Sequence, residues 1–359
     1  MTYTVFILKN IKNVPIHLKI CNLKTILYYI TDHGLGHATR SVAIIRELKK
    51  LNVRLILRNS NCINFLRESL PDIQIIPGIT DVGPIIAEDG VSIDRNKSKT
   101  SLKNWIDNMD KFVKQEKETI VKINPDLVIS DVSAVPIKAS YISNKPSIVI
   151  SNFCWSDVLD FLELEQLSKL ITAYEMADFA IQLPFGTDMK PFKIKKKAGI
   201  VCRRPTRTPK EIHKILGLSD NSFKILVHLG NQYKISFKGN QNTEIISTGA
   251  NIDPFSHQIS PWIEGQDLIF ASDLVICKLG YGMVTECLTN GTPFVYLSDP
   301  NHIEQNFISK GLEKLGLDNR ITKEDLYCLD LEKITKRQIV PKKLENETNI
   351  VVKMISEML

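Results

Sequence analysis

The chain has 359 residues, 43% of them hydrophobic and 24% charged, with seven cysteines and a formal net charge of +6. This composition is typical of a globular chain with two domains, and the modest charge gives no support for a nucleic-acid partner. The cysteines form no C-x-x-C pair, which argues against a zinc ribbon or a disulfide framework, and no apolar run approaches the roughly 20 residues that cross a bilayer, so we expect a cytoplasmic protein.

The predicted elements begin with a βαβ unit, which follows an extension at residues 1–24 to which we assign no function. A β-rich run over 25–30 leads into a glycine-bearing loop at 31–40, and residues 41–50 show the apolar spacing of a helix. The next strand is predicted at 53–57. Strand, helix and strand in this order indicate a parallel sheet, whose ligands bind at the carboxyl ends of the strands, where the loop lies.

The same alternation continues through a first α/β domain, residues 25–190. A polar, glycine-containing loop is predicted at 78–98, and a long helix at 101–123. The remaining elements are strands at 73–77, 126–130, 147–151 and 179–183 and helices at 137–144 and 156–176. Asp131 directly follows one of these strands, so we expect it at the same edge of the sheet as the first loop.

A lysine- and arginine-rich stretch at 191–214 separates the first domain from a second α/β domain, residues 215–340. We interpret this stretch as a basic linker, and the alternative is an edge that faces an anion or a membrane surface. In the final segment, residues 341–359, apolar side chains recur at helical spacing. This spacing predicts a helix that packs on another part of the chain.

The second domain contains a glycine turn, Gly280-Tyr281-Gly282-Met283, between a predicted strand at 271–276 and a short helix. Glycine lets the backbone approach a phosphate closely, and the helix carries a partial positive charge at its N-terminus. The turn has neither the G-x-G-x-x-G pattern nor the Lys-Ser/Thr pair of a P-loop. A tight turn that binds no ligand is the alternative interpretation.

Two side chains of the first domain have the chemistry of a general base and its partner. His37 lies in the loop after the first strand, and the ordinary pKa of histidine, about 6.5, suits it to accept a proton at neutral pH. Asp131 would orient the imidazole, as a carboxylate does in acyl-transfer triads. The alternatives are helix-capping roles for both residues. His33 is a weaker candidate for a backbone or substrate contact, and the lack of a G-x-S-x-G motif disfavours a serine hydrolase.

Further residues of the second domain suit a nucleotide sugar. Glu286, one turn into the helix after Gly280, could accept hydrogen bonds from ribose hydroxyls, and the adjacent Glu304 and Gln305 offer acceptors and donors for sugar hydroxyls. Trp262 precedes the glycine turn in a loop and could stack on a base. The alternatives are solvated surface side chains for the first three and a packing tryptophan for Trp262.

These motifs together resemble the GT-B glycosyltransferases. Residues 262–305 are similar to the donor half of the enzymes that add N-acetylglucosamine to a lipid-linked cell-wall precursor, and of glucuronosyl- and glucosyltransferases. Most of residues 25–310 resembles the glycosyltransferase-like N-terminal module of plant arabinose kinases. The residues that carry this second resemblance are Gly34–Arg40, Asp94-Arg95, Ser130-Asp131, Asn152–Trp155 and Lys278–Gly282.

The resemblance implies an α/β fold of the GT-B type, in which two Rossmann-like parallel-sheet domains face each other across a cleft and a helix within 341–359 packs back on the first. It also implies an inverting hexosyltransferase that needs no metal and no cofactor besides a nucleotide-sugar co-substrate, which we expect to be UDP-linked. His37 and Asp131 are the implied catalytic pair. The implied donor-binding residues are Gly230, Asn231, Trp262, Gly280, Tyr281, Gly282, Met283, Glu286, Glu304 and Gln305. The implied acceptor-side residues are His33, Gly34, Gly36, Arg40, Asn152 and Trp155.

Two departures from the family pattern leave the sugar and the base undetermined. Lys278-Leu279 stands where many members have a histidine before the glycines, and Ser298-Asp299 stands where arabinose-kinase modules have an arginine. The acceptor, lipid-linked or small, is also unidentified, and we expect the loop at 78–98 to help to select it. A peripheral contact with the inner face of the membrane stays open. The alternatives to a transferase are a non-transferring enzyme of the nucleotide-sugar epimerase kind and a non-catalytic nucleotide-sugar-binding module.

Overall fold

The computed structural model describes residues 23–230, 232–238, 242–248, 251–253, 257–258, 263–337 and 341–359. The predicted extension at 1–24 therefore lies outside the described residues, apart from its last two. None of the described helices is both long enough and apolar enough to span a membrane.

The first half is built around one sheet with helices between its strands. The strands are β1 (Lys24–Ile30), β2 (Val53–Arg58), β3 (Gln74–Ile76), β4 (Leu127–Asp131), β5 (Ser147–Ser151), β6 (Phe179–Gln182) and β7 (Lys195–Lys197). The helices are α1 (Leu35–Leu48), α2 (Ile63–Ser69), α3 (Arg95–Asp107), α4 (Met109–Ile123), α5 (Val135–Ile142), α6 (Trp155–Val158) and α7 (Leu164–Tyr174). All neighbouring strands are parallel, in the order β3-β2-β1-β4-β5-β6-β7.

Strand β1 is apolar throughout its length because helices cover both faces of the sheet. Ile26 and Tyr28 belong to the apolar cluster that contains the buried residues of α1. The alternate residues Leu27 and Tyr29 belong to the cluster that contains the buried residues of α4 and α5. The last residue of β1 pairs in register with Asp131, the last residue of β4. The loop after β1 and the end of β4 therefore meet at one edge of the sheet.

The second half repeats this architecture on a smaller scale. Its strands are β8 (Phe223–His228), β9 (Lys234–Lys238), β10 (Thr243–Ser247), β11 (Asn251–Asp253), β12 (His257–Gln258), β13 (Leu274–Lys278), β14 (Phe294–Leu297) and β15 (Leu329–Asp330). Its helices are α8 (Pro209–Leu216), α9 (Gly265–Phe270), α10 (Tyr281–Asn290), α11 (Ile303–Lys314), a 3-10 helix (Glu324–Cys328), α12 (Leu331–Arg337) and α13 (Thr348–Ser356). A parallel sheet of order β12-β10-β8-β13-β14 is accompanied by a small sheet, β11-β9-β15.

The two halves share one apolar cluster. Helix α13 packs on α1, and its residues Val351 and Ile355 lie in the same cluster as Val284 of α10. An ion pair adds to this contact, with Arg46 Nη2 of α1 lying 2.8 Å from Glu264 Oε1 in the second half. Helices α1, α10 and α13 therefore join the halves through both apolar and charged contacts.

Two stretches that the spacing predicts as single helices are each divided. The stretch at 101–123 belongs to α3 and α4, which meet at Asn108, and the stretch at 156–176 belongs to α6 and α7. Apolar residues of α3 and α4 lie in one cluster, so the stripe continues across the break and the spacing does not reveal it. Helix α3 also begins earlier than predicted, because the side chain of Asp94 accepts a hydrogen bond from the backbone N–H of Lys97.

Residues 191–214, predicted as a basic linker, contain the edge strand β7 and the start of α8. The three lysines of β7 are exposed, and charged side chains on an edge strand discourage pairing with other chains. Helix α8 begins at a capping box: Thr208 Oγ1 accepts from the backbone N–H of Glu211, whose carboxylate accepts from the backbone N–H of Thr208. Much of the stretch therefore has regular structure.

Replacing Thr208 by alanine should lower the free energy of unfolding by about 1 kcal/mol, because the first turn of α8 loses its cap. Urea unfolding of the two proteins measures this difference. Thr119→Ala is a matched control, since its exposed hydroxyl donates to the carbonyl of Gln115 in the middle of α4 and caps no helix end. An equal loss in both variants would contradict the capping role.

Candidate active site

The loop after β1 turns directly into α1, which begins at Leu35, six residues before the predicted start. Gly34 precedes this helix with a φ of +73°, a conformation that favours glycine. The early start places His37 and Arg40 three residues apart on one side of α1, and both side chains are buried. Asp131 lies beside them at the end of β4, because β4 is the neighbour of β1 in the sheet.

His37 Nδ1 lies 2.8 Å from Asp131 Oδ1, the contact that a general base and its orienting carboxylate would make. Arg40 binds the same carboxylate through two nitrogens: Nε donates to Oδ2 at 2.7 Å and Nη2 donates to Oδ1 at 2.6 Å. Burial by itself raises the pKa of Asp131, but the charges and hydrogen bonds of Arg40 and His37 outweigh burial and lower it to about 2. Asp131 is therefore ionised at neutral pH.

Arg40 connects this pair to the second half of the chain. Its Nη1 donates to Asn152 Oδ1 at 2.5 Å, and Asn152 Nδ2 lies 3.5 Å from Glu304 Oε1. The guanidinium carbon lies 5.4 Å from the ring centroid of Tyr281, the first residue of α10. The structure thus brings one predicted acceptor-side residue, Asn152, and two predicted donor-side residues, Glu304 and Tyr281, together around the buried Arg40.

Aromatic rings surround His37 on the acceptor side. Its ring centroid lies 5.6 Å from that of Phe153 and 6.4 Å from that of Trp155, and the ring of His33 lies 5.4 Å from Trp155. Burial, with the imidazoles of His37 and His302 nearby, lowers the pKa of His33 to about 3. His33 is therefore neutral at physiological pH.

Asp81 organises the acceptor side, although the sequence patterns do not single it out. Its carboxylate accepts hydrogen bonds from Trp155 Nε1 at 3.0 Å, from Thr31 Oγ1 at 2.7 Å and from the backbone N–H of Asp32 at 3.0 Å. In the sequence Asp81 is one acid in a polar loop, and it belongs to no motif. Only the expectation that this loop lies at the carboxyl edge of the sheet could have pointed to it.

The N-termini of α1 and α10 are in contact where the two halves meet. A Cβ on Gly282 would lie 2.6 Å from Thr39 Oγ1 and 3.6 Å from the carbonyl oxygen of Gly36, so a larger residue would have to displace the Thr39 hydroxyl. Within the described part of the chain, neither helix has a side-chain cap or an acidic residue in its first turn. Two uncapped helix N-termini that face each other form a favourable site for an anion.

Lys278, the last residue of β13, adds a cation next to the glycine turn. Its Nζ would lie 3.3 Å from a Cβ on Gly230, which comes two residues after the end of the neighbouring strand β8 and has a φ of +90°. Burial lowers the pKa of Lys278, and the carboxylate of Asp89 partly opposes this effect. No described residue forms a hydrogen bond or an ion pair with this ammonium group. In the sequence Lys278 stands out as a departure from the histidine of many family members and as part of the resemblance to arabinose-kinase modules, but neither indicates a role for its ammonium group.

The loop at 78–98 reaches across to the second half, a role that its sequence does not reveal. Ile86 and Ile93 pair as an antiparallel bridge, so residues between them project as a hairpin. At its tip, the carbonyl of Asp89 accepts a hydrogen bond from Tyr233 Oη at 2.6 Å, and the Asp89 carboxylate pairs with Lys323. Val91, 3% exposed, is buried in the apolar cluster of the second half.

The remaining predicted donor-side residues have different surroundings. Gln305 lies in the first turn of α11, and its Oε1 accepts a hydrogen bond from the backbone N–H of Asp299 at 2.8 Å. Glu286 is 2% exposed, and its two carboxylate oxygens lie 2.8 and 3.2 Å from Nε and Nη2 of Arg203. Its carboxylate is therefore engaged within the protein. Asn231 and Trp262 lie outside the described residues.

Comparison with known sequences gives two matches. Residues 24–169 match the family described as glycosyl transferase family 1. The chain is also 26% identical, over 314 residues, to L-arabinokinase of Arabidopsis thaliana. This match covers 80% of the chain but only 29% of the relative, so the chain spans less than a third of that protein's length.

Solved structures with far lower sequence identity share the fold. UGT89C1 of Arabidopsis thaliana gives a TM-score of 0.61 at 12% identity, with 93% of this chain and 99% of that chain covered. MurG of Acinetobacter baumannii gives a TM-score of 0.53 at 13% identity, again with 93% and 99% covered. UGT89C1 has also been solved in complex with UDP-L-rhamnose. The two parallel-sheet halves and these superpositions show that the chain has the GT-B fold that these glycosyltransferases share.

Proposed function

We propose that the chain transfers a sugar from a nucleoside-diphosphate sugar to an acceptor hydroxyl, with inversion at the anomeric carbon and without a metal ion. The observation that carries this proposal is the meeting of the two helix N-termini. One helix presents His37 with Asp131, and the other begins at the glycine turn. A proton acceptor and an anion site therefore face the same point of the cleft, the arrangement that a displacement reaction requires.

In the proposed reaction the acceptor oxygen attacks the anomeric carbon of the bound donor. His37 accepts the proton of the acceptor hydroxyl as the new carbon–oxygen bond forms, and Asp131 stabilises the imidazolium. The bond between the anomeric carbon and the diphosphate oxygen breaks. The backbone N–H groups at the start of α10 and the ammonium group of Lys278 stabilise the charge on the departing diphosphate. A single displacement of this kind inverts the anomeric configuration.

The proposed donor is UDP-linked, which the UDP-L-rhamnose complex of UGT89C1 supports. Glu304 and Gln305, in the first turn of α11, would bind the donor sugar, which the contact of Glu304 with Asn152 supports. Glu286 would contribute to ribose binding only after its ion pair with Arg203 opens. Asn231 and Trp262 would complete the site.

The proposed acceptor has an apolar part. Four apolar side chains that follow the strands at the carboxyl edge of the first sheet are exposed. The exposed fractions are 54% for Leu35, 54% for Ile79, 38% for Ile85 and 42% for Ile86. Apolar side chains at the mouth of a cleft suit either a lipid-linked or an aromatic or aliphatic small-molecule acceptor. For the lipid-linked case we propose a peripheral position at the inner face of the membrane, with the exposed lysines of β7 near its anionic surface.

A nucleotide-sugar-binding module without turnover is the second candidate. It is favoured by the hydrogen bonds that Arg40 donates to both oxygens of Asp131. A carboxylate that is already neutralised by an arginine stabilises an imidazolium less. This candidate predicts donor binding that is indifferent to His37. An epimerase-like enzyme would instead convert the donor when no acceptor is present.

Thermal unfolding against a panel of nucleosides, nucleotides and nucleotide sugars tests the proposal. A ligand at 100 times its dissociation constant should add about 2.7 kcal/mol to the free energy of unfolding. We expect UDP and one UDP-sugar to stabilise the protein and uridine to have little effect, because the diphosphate makes the main contacts. A panel in which no diphosphate stabilises the protein would overturn the donor site.

Gly280→Ala gives this experiment a matched variant. Gly280 has extended backbone angles, with φ −154° and ψ 148°, and a Cβ there would have no atom within 4 Å, so the fold should be unaffected. The added methyl group would stand where the backbone must approach the diphosphate. We therefore expect unchanged stability without ligand and a loss of most of the stabilisation by UDP. Undiminished stabilisation would show that the diphosphate does not bind at the glycine turn.

A further inference from the structure

Three polar atoms form a close triangle beside the proposed base. His37 Nδ1 lies 2.8 Å from Asp131 Oδ1 and 2.7 Å from Arg40 Nη2, and these last two atoms are 2.6 Å apart. A guanidinium nitrogen can only donate a hydrogen bond, and an ionised carboxylate oxygen can only accept one. Nδ1 is thus the one corner of the triangle that can act either way. If Nδ1 donates, the proton of the neutral ring is on Nδ1, and if Nδ1 accepts, the proton is on Nε2.

Asp131 does not need a hydrogen bond from His37. Its Oδ1 accepts from Arg40 Nη2, and its Oδ2 accepts from Arg40 Nε at 2.7 Å and from Ser41 Oγ at 3.1 Å. Nη2 of Arg40 also lies 3.1 Å from Ser151 Oγ. A proton on Nδ1 would place an N–H group 2.7 Å from this cationic nitrogen, a repulsive contact at a site where Arg40 is only 2% exposed. An unprotonated Nδ1 accepts from Nη2 without conflict.

We propose that Arg40 is a positioning residue that holds His37 with its proton on Nε2 while the site is empty. This inference rests on the proposed function, because a base that faces the acceptor must have Nε2 free. In this state His37 is unable to accept the proton of an acceptor hydroxyl. The base becomes active when Arg40 withdraws from Nδ1, the proton moves to Nδ1, and the Nδ1–H group bonds to Asp131.

The contacts of Arg40 link this change to the donor. Arg40 is held by Asn152, which reaches Glu304, and by the ring of Tyr281. Glu304 belongs to the proposed sugar site, and Tyr281 belongs to the glycine turn. A donor that bonds to Glu304 and lies against Tyr281 alters two of the contacts that hold Arg40. The base is therefore activated only when the donor is present, which protects the donor from premature reaction.

Nitrogen NMR of labelled protein reads the tautomer directly, because a protonated and an unprotonated ring nitrogen resonate in separate ranges. The spectra are recorded at about pH 8, above the ordinary pKa of a histidine side chain. The signals of His37 are those that vanish in His37→Gln. We expect Nε2 of His37 to carry the proton in the empty wild-type protein, and the proton to move to Nδ1 in Arg40→Lys. A lysine keeps the charge next to Asp131 but has no second nitrogen to place against Nδ1.

Arg46→Lys is the matched control, because Arg46 lies on the same helix and pairs with Glu264, not with Asp131. It should leave the tautomer of His37 unchanged. A proton on Nδ1 in the wild-type protein, or an unchanged tautomer in folded Arg40→Lys, would overturn the proposal. The wild-type measurement stands even if the variant does not fold. The NMR measurement uses protein without ligand and requires no turnover. A result that overturns the tautomer proposal is therefore distinct from a result that overturns the transferase assignment.

Discussion

His37→Ala should lower turnover by a factor of about 10² to 10⁴, the usual contribution of a positioned general base. The fold should survive, because the carboxylate of Asp131 keeps its hydrogen bonds from Arg40 and Ser41 when the imidazole is removed. The proposed diphosphate site is formed by the start of α10 and Lys278, and the imidazole is not part of it. We therefore expect a loss in kcat at saturating donor, with stabilisation by UDP retained.

His213→Ala is the control for this experiment. The ring of His213 bonds through Nε2 to the carbonyl of Ala271 at 2.8 Å, within the second half, so its loss should leave kcat unchanged. Full turnover in His37→Ala would show that His37 is not the general base. Binding of UDP together with no turnover in either wild type or variant would favour the binding module.

Arg203→Met should lower the free energy of unfolding by about 3–5 kcal/mol, because it leaves the carboxylate of Glu286 buried without its partner. Arg203 and Glu286 are 4% and 2% exposed, so water does not replace the lost contact. Burial raises the pKa of Glu286 although Arg203 lies beside it, which shows how costly the ionised form is at this position. Urea unfolding at neutral pH measures the loss.

The double variant Arg203→Met with Glu286→Leu separates the pair from the packing around it. Replacing both partners by apolar side chains removes the unpaired charge, so most of the lost stability should return. A double variant that is as unstable as Arg203→Met would show that packing, not charge, causes the loss. The same variant tests the ribose role of Glu286, since retained stabilisation by UDP would assign Glu286 to the ion pair alone.

Local patterns in the sequence are enough to predict the frame of this protein. Apolar runs alternate with helical spacing, and this alternation predicts two parallel-sheet halves. Because parallel strands end at a common edge, the loop after β1 and Asp131 were expected together, and Nδ1 of His37 does lie 2.8 Å from Oδ1 of Asp131. The glycine turn was expected at the start of a helix for the same reason, and α10 begins there.

The predictions that failed concern breaks in regular patterns. The division of 101–123 at Asn108 interrupts the backbone but not the apolar stripe, so periodicity does not detect it. The lysine-rich stretch at 191–214 has the composition of a linker, yet β7 adds its backbone to the edge of the sheet with its three side chains in water. Composition reports on side chains, whereas the hydrogen bonds of an edge strand involve only the backbone.

The tertiary structure alone decided the electrostatic partners in the site. Arg40 meets Asp131 from 91 residues away, and Arg203 meets Glu286 from 83 residues away, so no local motif contains either pair. Val91 enters the apolar cluster of the second half from a loop of the first. Propensity and periodicity depend on neighbours within a few turns of chain and are written in the sequence. The pKa of a buried ionisable group depends on which charged and hydrogen-bonding groups surround it. These groups are distant in the sequence, and only the folded arrangement of the two halves brings them together.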